Sequence, residues 1–294
     1  MSVYLKKIKL VDENMEFDMI TYKKNIHNSF YPLKIFPEKN LKEIEFEPIT
    51  IFYGGNGSGK TTLLNIIGDT IDASKRNYEV RSEFFEKYIN YCKKNHEMIN
   101  EYECKDIKFI SSDDVFDYLL DLKAINSNVN RRKDRLIDEY YEYKNTSSRD
   151  LNFGLDDYNE LKNKVDSNRQ TVSKYVRTRL RNNNVLQESN GETALDFWQS
   201  EITEDSIYII DEPENSLSSE NQLKLKTFIE ESARFYNCQF IIATHSPFLL
   251  ALNEAKIYDL DSNDPKIKKW TELKNVKAYY NFFKEYEKEF EDNQ

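Results

Sequence analysis

A glycine-rich segment carries the strongest chemical signal in this sequence of 294 residues. The letters GGNGSGKT at residues 54–61 fit the phosphate-binding loop (P-loop) pattern, and they stand between a β-rich run and a helical run. Glycines let successive backbone N–H groups turn toward phosphate oxygens, and the following helix N-terminus favours negative charge. Lys60 is expected to reach the β- and γ-phosphates of a nucleotide, and the Thr61 hydroxyl to hold Mg²⁺. The residues assigned to nucleotide binding in this segment are Gly54, Gly55, Asn56, Gly57, Ser58, Gly59, Lys60, Thr61 and Thr62.

Two adjacent carboxylates, Asp211 and Glu212, end the apolar run at residues 206–210. Such a strand suits a Walker B element, in which Asp211 supports the metal and Glu212 orients or deprotonates the attacking water. Acidic residues at a strand end also serve as helix N-terminal charges, which stays an alternative for this motif alone. Together with the P-loop, the catalytic interpretation is favoured.

His245 follows a third apolar run, in the segment IIATHSP at residues 241–247. A lone histidine is more often structural than functional. Open α/β sheets bind ligands beyond the carboxyl ends of their strands, however, and this is where a γ-phosphate sensor must lie. The predicted catalytic residues are therefore Lys60, Glu212 and His245.

Apolar periodicity predicts the elements that position these residues. In the first part of the chain, strands are expected around residues 4–10, 44–53 and 107–110, with helices from Thr61 and over residues 81–100.

Beyond this part, a charged helical arm is expected over residues 115–181, with breaks at 126–130 and 147–154. The last third predicts the strands of a parallel sheet at residues 207–210, 240–243 and 257–260. Ser219 and Gln222 form a candidate capping box for the helix between the first two of these strands.

Composition indicates a globular protein with a heavily charged surface, since 32% of residues are charged and 14% are aromatic. The net charge of -10 argues against a wholly basic nucleic-acid binder but leaves a local basic patch at residues 131–135 open. Cys92, Cys104 and Cys238 show no CxxC pair, so neither a disulfide framework nor a zinc site is indicated. The N-terminus lacks an apolar signal region and no stretch approaches about 18 uncharged apolar residues. A soluble cytoplasmic protein without membrane insertion is expected.

The motifs GGNGSGKT, IIDEPENSL and IIATHSP together resemble those of the ABC-type ATPase superfamily. The resemblance is closest to small stand-alone bacterial "predicted ATPase" proteins related to SMC-like and OLD-like ATPases, and it covers nearly the whole chain. It implies an α/β fold, that of a P-loop NTPase of ABC type with a mixed sheet flanked by helices. Residues 1–112 and 186–294 are then expected to form the ATPase core, and residues 113–185 an inserted helical arm.

The resemblance also implies a signature motif, which in this group often reads S-x-G-E. The segment Ser189-Asn190-Gly191-Glu192 stands in the expected place, ahead of the Walker B strand. Ser189 and Gly191 are therefore expected to contact the γ-phosphate of ATP bound to the other subunit. Taken alone, the segment also fits a loop and a helix N-cap.

Two loops depart from the superfamily pattern. No Q-loop glutamine follows the strand at residues 107–110, where Asp113 or Asp114 could approach the metal or water but fit helix N-capping equally well. The D-loop aspartate is also missing, since residues 217–219 read Leu-Ser-Ser. Both departures put transporter-like coupling in doubt.

Base-binding and additional phosphate-binding residues are poorly defined. Phe30, Tyr31 and Phe36 could stack on adenine, although places in the core are favoured. The arginine series Arg177, Arg179, Arg181 could bind phosphate or DNA, although a solvated helix face is favoured.

The resemblance implies a Mg²⁺-dependent ATPase that works as a homodimer, in which two subunits close on two ATP molecules and reopen after hydrolysis. It suggests nucleic-acid maintenance or phage defence, with a separate effector protein and DNA or RNA as candidate partners. The alternative is a nucleotide-binding subunit of an ABC transporter, which would require a membrane partner.

Overall fold

The computed structural model describes residues 1–21, 30–76, 82–145, 163, 165–167, 171–179, 190–262 and 264–291. Of these, it describes the backbone alone at residues 125–130, 173, 177–178, 190–193 and 216. The chain divides into two compact units, one of Met1–Phe116 with Asn190–Gln294 and one of Asp117–Ser189.

The strands of the first unit form two sheets. Within the described residues they are β1 Leu5–Lys9, β2 Glu43–Glu45, β3 Ile49–Tyr53, β4 His96–Met98, β5 Asp106–Ser111, β6 Ser206–Asp211, β7 Gln239–Ala243 and β8 Lys256–Asp259. A parallel sheet has the order β5-β6-β7-β3-β8, and a small antiparallel sheet has the order β2-β1-β4. All residues of β3, β6 and β7 are buried, as expected for apolar strands that are covered on both faces.

The register of the parallel sheet aligns the ends of three neighbouring strands. Ala243 of β7 pairs with Phe52 of β3 on one side and with Asp211 of β6 on the other. The backbone ladder continues past these pairs, because Glu212 N donates to Ala243 O and Thr244 N donates to Phe52 O. The loops that follow β3, β6 and β7 therefore leave the sheet at the same edge.

The antiparallel sheet corrects two predicted elements. The expected β run over residues 44–53 is divided, with β2 in one sheet and β3 in the other. The helix expected over residues 81–100 ends at Lys94, and β4 follows and pairs with β1. The chain leaves the helix at Asn95, whose carbonyl accepts a hydrogen bond from Lys9 N of β1. The pairing partner lies far away in the sequence, so local periodicity does not indicate this strand.

The helices, within the described residues, are α1 Glu13–Thr21, α2 Lys60–Thr70, α3 Glu83–Lys94, α4 Ser112–Asn145, α5 Val172–Arg179, α6 Asn190–Glu201, α7 Ser219–Phe235, α8 Pro247–Leu250, α9 Lys274–Glu285 and α10 Glu287–Glu291. The predicted break at residues 126–130 is wrong, because α4 continues through it. That segment has no Gly or Pro, and Asn, Ser and Val each cost less than about 1 kcal/mol relative to Ala in a helix. The second predicted break, at residues 147–154, lies outside the described residues. No helix in the described part of the chain has the length and apolar character needed to cross a membrane.

The start of α7 differs by one residue from the predicted capping box. Ser218 is the N-cap, and its hydroxyl accepts a hydrogen bond from Asn221 N. Gln222 instead donates from Nε2 to Leu217 O and accepts at Oε1 from the Ser246 hydroxyl. The glutamine is used for tertiary contacts, because Ser246 lies in the loop after β7.

Gln239 connects the two sheets at the end of β7 opposite the aligned strand ends. Its side chain is 0% exposed, and Oε1 accepts from Tyr4 N at 2.9 Å and from Leu5 N at 2.8 Å. Its Nε2 donates to Leu5 O at 2.8 Å. One buried amide therefore satisfies three backbone groups of the segment that forms β1.

We expect Gln239→Leu to lower the free energy of unfolding by about 2 kcal/mol or more, because buried backbone groups lose their partners. Urea unfolding measures the effect, with the exposed Gln199→Leu on α6 as a matched control that changes stability by at most about 0.5 kcal/mol. Equal stability of the two variants would contradict this function of Gln239.

Candidate active site

The P-loop connects β3 to α2 and depends on glycine at two positions. Gly57 and Gly59 have φ angles of 81° and 94°, in the left-handed region that L side chains rarely adopt. A Cβ atom on Gly59 would also lie 3.0 Å from Cγ2 of Ile35. Gly59 is the N-cap of α2, so this helix begins without a side chain that caps its N–H groups. Such an N-terminus can bind an anion.

Lys60 lies at the start of α2 with its ammonium group inside the loop. The residue is 5% exposed, and Nζ donates to Gly54 O at 2.8 Å and to Gly55 O at 3.3 Å. Nζ also lies 3.5 Å from Glu212 Oε1. A buried cation requires such partners, and a phosphate would add stronger ones.

Thr61 and Asp211 connect the P-loop helix to the end of β6. The Thr61 hydroxyl donates to Asp211 Oδ2 at 2.8 Å, whereas the buried Asp211 Oδ1 has no hydrogen-bond partner. Burial raises the pKa of Asp211 to about 6, because desolvation penalises its charged form. A buried carboxylate oxygen without a partner beside a hydroxyl fits a site for Mg²⁺, which prefers oxygen ligands. The described residues contain no group of three or more His, Cys, Asp or Glu side chains suited to a metal, so phosphate and water would supply the other ligands.

Glu212 has a strained backbone at the end of the same strand. Its φ is 48°, a left-handed value that costs a non-glycine residue about 1 to 3 kcal/mol. The side chain is fixed between two partners, since Asn215 Nδ2 donates to Oε2 at 3.1 Å and Lys60 Nζ lies near Oε1. Strain at this position directs a carboxylate toward the P-loop.

His245 lies immediately beyond the neighbouring strand end, beside two carboxylates. Its Nδ1 is 3.3 Å from Glu214 Oε1 and 4.0 Å from Glu212 Oε1. The imidazole is 48% exposed, so it remains accessible to a ligand. Asn275 Nδ2 donates to the His245 carbonyl at 2.7 Å, which fixes the loop from the side of α9.

A cavity of about 340 Å³ lies over the P-loop and is lined by Ile35, residues 56–62 and Glu212. The structure thus brings the predicted Lys60, Thr61, Asp211 and Glu212 together, and His245 lies next to Glu212. Gly54 and Gly55 form the start of the loop and hold Lys60 Nζ through their carbonyls.

The predicted signature residues have no described contacts. Ser189 lies outside the described residues, and Gly191 is in the first turn of α6. Their assignment to a composite site remains a prediction.

The two acids considered as replacements for the Q-loop glutamine lie at the N-terminus of α4. Asp114 Oδ2 accepts from Ser111 N and from the Ser111 hydroxyl, each at 2.8 Å, and Asp114 N donates back to Ser111 Oγ at 3.3 Å. This reciprocal arrangement is a capping box. Asp113 is exposed. Helix capping accounts for Asp114 Oδ2, whereas the buried Oδ1 has no hydrogen-bond partner.

The aromatic residues considered for adenine stacking contact the core. Phe30 stacks on Phe84 and Tyr31 stacks on Phe85, both of α3, while Phe36 is fully buried.

The arginine considered for phosphate binding at position 179 is paired within its own unit. Arg179 donates to Asp166 at 3.0 Å and stacks over the Tyr175 ring. Arg181 and the Arg177 side chain lie outside the described residues.

Sequence reasoning missed several residues that hold this site. Ile35 lines the cavity, and the preceding Lys34 has a φ of 71° with its N–H donated to the buried Glu16. Asp261 Oδ1 accepts from Gly55 N at 2.9 Å and supports the loop from the end of β8. Glu214 was visible in the sequence DEPEN, but its partners lie about 30 residues away.

A family comparison matches the middle part of the chain. Residues 111–251 match the family described as "AAA domain, putative AbiEii toxin, Type IV TA system". The matched span includes Asp211, Glu212 and His245, and the P-loop precedes it. The match covers slightly less than half of the chain, which is similar to this family over that span. The comparison with curated proteins gives no match.

Solved structures similar to this chain share little sequence with it. The SMC head domain from Thermotoga maritima has 14% identity and a TM-score of 0.38, and the match covers 91% of this chain and 99% of that chain. CbiO1 from Clostridium perfringens, part of an ABC transporter complex, has 14% identity and a TM-score of 0.36 over 96% and 95% of the two chains. A nucleotide-free ATP-binding cassette from an ABC transporter has 14% identity and a TM-score of 0.34 over 80% and 87%. These TM-scores are low, so the description of the fold rests on the strand order and the P-loop.

We expect Lys60→Ala to raise the Kd for Mg·ATP by about 10- to 100-fold, because a charge-assisted contact to phosphate contributes about 1.5 to 3 kcal/mol. Isothermal titration calorimetry measures the change. Lys42→Ala, which removes an exposed lysine, is the control for net charge. Unchanged affinity in the Lys60 variant would contradict the assignment of this side chain to phosphate.

Proposed function

We propose that this protein binds ATP with Mg²⁺ and hydrolyses it as a molecular switch, with two subunits that close on two ATP molecules. The observation that carries the proposal is the pair formed by Thr61 and Asp211 beside Lys60 and Glu212 at the P-loop cavity. A phosphate cradle, a site that fits a metal and a carboxylate for water activation thus occupy one edge of the sheet.

Residues 56–62 and Lys60 bind the nucleotide in this proposal. Backbone N–H groups of the loop and the N-terminus of α2 receive the phosphates, and the Lys60 ammonium turns from the loop carbonyls toward the β- and γ-phosphates. Ile35 adds an apolar side chain to the lining of the cavity.

Thr61 and Asp211 would hold Mg²⁺ through the hydroxyl oxygen and the Oδ1 atom that has no partner. When bound, the ion neutralises charge on the phosphates. The carboxylate of Asp211 also holds the Thr61 side chain toward the cavity, which positions both groups before the nucleotide arrives.

Glu212 accepts a proton from the attacking water or orients this water in line with the γ-phosphate. Lys60 and Asn215 hold its two oxygens, so its carboxylate is preorganised. The accessible imidazole of His245 contacts the γ-phosphate beside it. Removing one preorganised group costs about 2.7 to 4 kcal/mol of transition-state stabilisation in comparable sites.

Ser189 and Gly191 complete the site of the other subunit in this proposal, because the resemblance to ABC-type ATPases implies a signature segment that contacts γ-phosphate in trans. ATP then joins the two subunits, and hydrolysis releases them.

The proposal for the cellular role is supported by the family description, "AAA domain, putative AbiEii toxin, Type IV TA system". We infer a role in such a system or in phage defence, where the ATP state controls a separate effector protein or a nucleic acid. The capping box of Ser111 and Asp114 stands where a transporter has its Q-loop glutamine, which disfavours a transporter subunit.

The Glu212→Gln variant tests the switch, since it keeps the P-loop but loses the carboxylate that acts on water. We expect turnover to fall about 100-fold or more while ATP binding persists. A closed dimer should then accumulate with Mg·ATP and not with Mg·ADP, which light scattering after size-exclusion chromatography measures.

A second substitution, Ser189→Arg, is the control in the Glu212→Gln background, because it blocks the signature without changing the P-loop. It should prevent the dimer while leaving nucleotide binding intact. A Glu212→Gln protein that is monomeric with both nucleotides would overturn the dimer switch.

A further inference from the structure

Glu214 is a buried acid that the proposed hydrolysis does not use directly. It lies in the 3-10 turn Pro213–Ser216 after β6 and is 7% exposed. Its Oε1 accepts three hydrogen bonds, from Thr244 Oγ1 at 2.7 Å, from His245 N at 2.8 Å and from Ser246 N at 3.2 Å. All three donors belong to the loop after β7. One carboxylate oxygen therefore connects the turn after β6 to this loop.

The three donors to this atom come from a single loop. Buried carboxylates are costly unless they are paired or hydrogen-bonded, and here the compensation comes from consecutive residues 244–246. The second oxygen, Oε2, is buried and has no hydrogen-bond partner. The hydrogen bonds of Glu214 to the loop therefore all use Oε1.

The loop that Glu214 holds carries His245. The imidazole Nδ1 lies 3.3 Å from the same Oε1, and the backbone N–H of His245 is one of its donors. Glu212 lines the P-loop cavity, whereas Glu214 does not. Its hydrogen bonds therefore act on a nucleotide through the loop that they position.

Ser246 extends the connection to the start of α7. Its hydroxyl caps α8 by accepting from Phe248 N and Leu249 N, and donates to Gln222 Oε1 at 2.6 Å. Gln222 Nε2 in turn donates to Leu217 O, in the segment at the D-loop position. The turn after β6, the loop after β7 and the N-terminal turn of α7 form one hydrogen-bonded unit.

We propose that Glu214 is a positioning residue that sets the place of His245 at the γ-phosphate, an inference that rests on the proposed ATPase function. The alternative is that the carboxylate only stabilises the fold. The two differ in kinetics, because a positioning residue changes kcat through His245, whereas a stabilising residue changes the amount of folded protein.

Two substitutions separate the acceptor from the volume of the side chain. Glu214→Leu removes the acceptor, and we expect kcat to fall about 10- to 100-fold, by analogy with residues that orient metal ligands through hydrogen bonds. The affinity for Mg·ATP should stay within about twofold. Glu214→Gln keeps an oxygen at the Oε1 position and should recover most of the lost activity. Gln239→Leu, a buried substitution at the opposite end of β7, is the control that lowers stability and leaves kcat unchanged.

A double-mutant cycle with His245→Ala tests whether the effect passes through the histidine. If Glu214 acts by positioning His245, Glu214→Leu should change kcat by no more than about twofold in the His245→Ala background. Full multiplication of the two losses would overturn the proposal.

Hydrogen exchange provides a readout that needs no ATP hydrolysis. Mass spectrometry of the peptide over residues 244–250 should show faster exchange in Glu214→Leu than in the wild type, with Glu214→Gln close to the wild type. An inactive wild type with this exchange pattern would refute the ATPase function and retain Glu214 as the anchor of the loop. Unchanged exchange in folded Glu214→Leu would refute the anchor itself. If Glu214→Leu does not fold, the Glu214→Gln variant provides the test. The proposal predicts that its hydrogen exchange matches the wild type and that its turnover stays within about threefold of the wild type. Loss of turnover with wild-type exchange would contradict the proposal.

Discussion

The parallel register of β3, β7 and β6 is the constraint on which the candidate site depends. Because Phe52, Ala243 and Asp211 pair across these strands, the three segments that follow them begin side by side. Two further backbone hydrogen bonds, from Glu212 N and Thr244 N, extend the ladder beyond the strands. Motifs separated by about 150 residues of sequence are thus placed within hydrogen-bond distance, as Thr61 and Asp211 show.

This arrangement concentrates costs that the rest of the fold must support. Three unfavourable features lie at this edge of the sheet: the left-handed backbone of Glu212, the buried ammonium of Lys60 and the buried carboxyl of Asp211, whose pKa is raised. A nucleotide with Mg²⁺ would reduce two of these costs, since phosphate pairs with the ammonium and the ion pairs with the carboxylate. The charged groups of the site are therefore in place before a ligand binds, with the ammonium positioned for an anion and the carboxylate for a cation.

Sequence alone predicted the parts of the site that local chemistry determines. The P-loop needs glycines and Lys60 at fixed spacing, and an apolar strand with two terminal acids is a local pattern as well. The sequence could not assign a structural role to Glu214 or Asn275, because both residues act through hydrogen bonds to a loop some 30 residues away. The strand His96–Met98 was not predicted for a similar reason. Three residues are too few to show a periodicity, and the segment is recognised as a strand by its pairing with β1. In α4 the local sequence was misleading, because residues of weak helix propensity at 126–130 predicted a break that the helix does not have.

The central claim is that the aligned strand ends form one metal–nucleotide site. Calorimetry tests it directly by comparing the affinity for ATP in Mg²⁺ with the affinity in EDTA. The account predicts that the wild type and the exposed control Asp196→Asn bind ATP more tightly with Mg²⁺, whereas Asp211→Asn loses this gain. A gain of full size in a folded Asp211→Asn variant would contradict it.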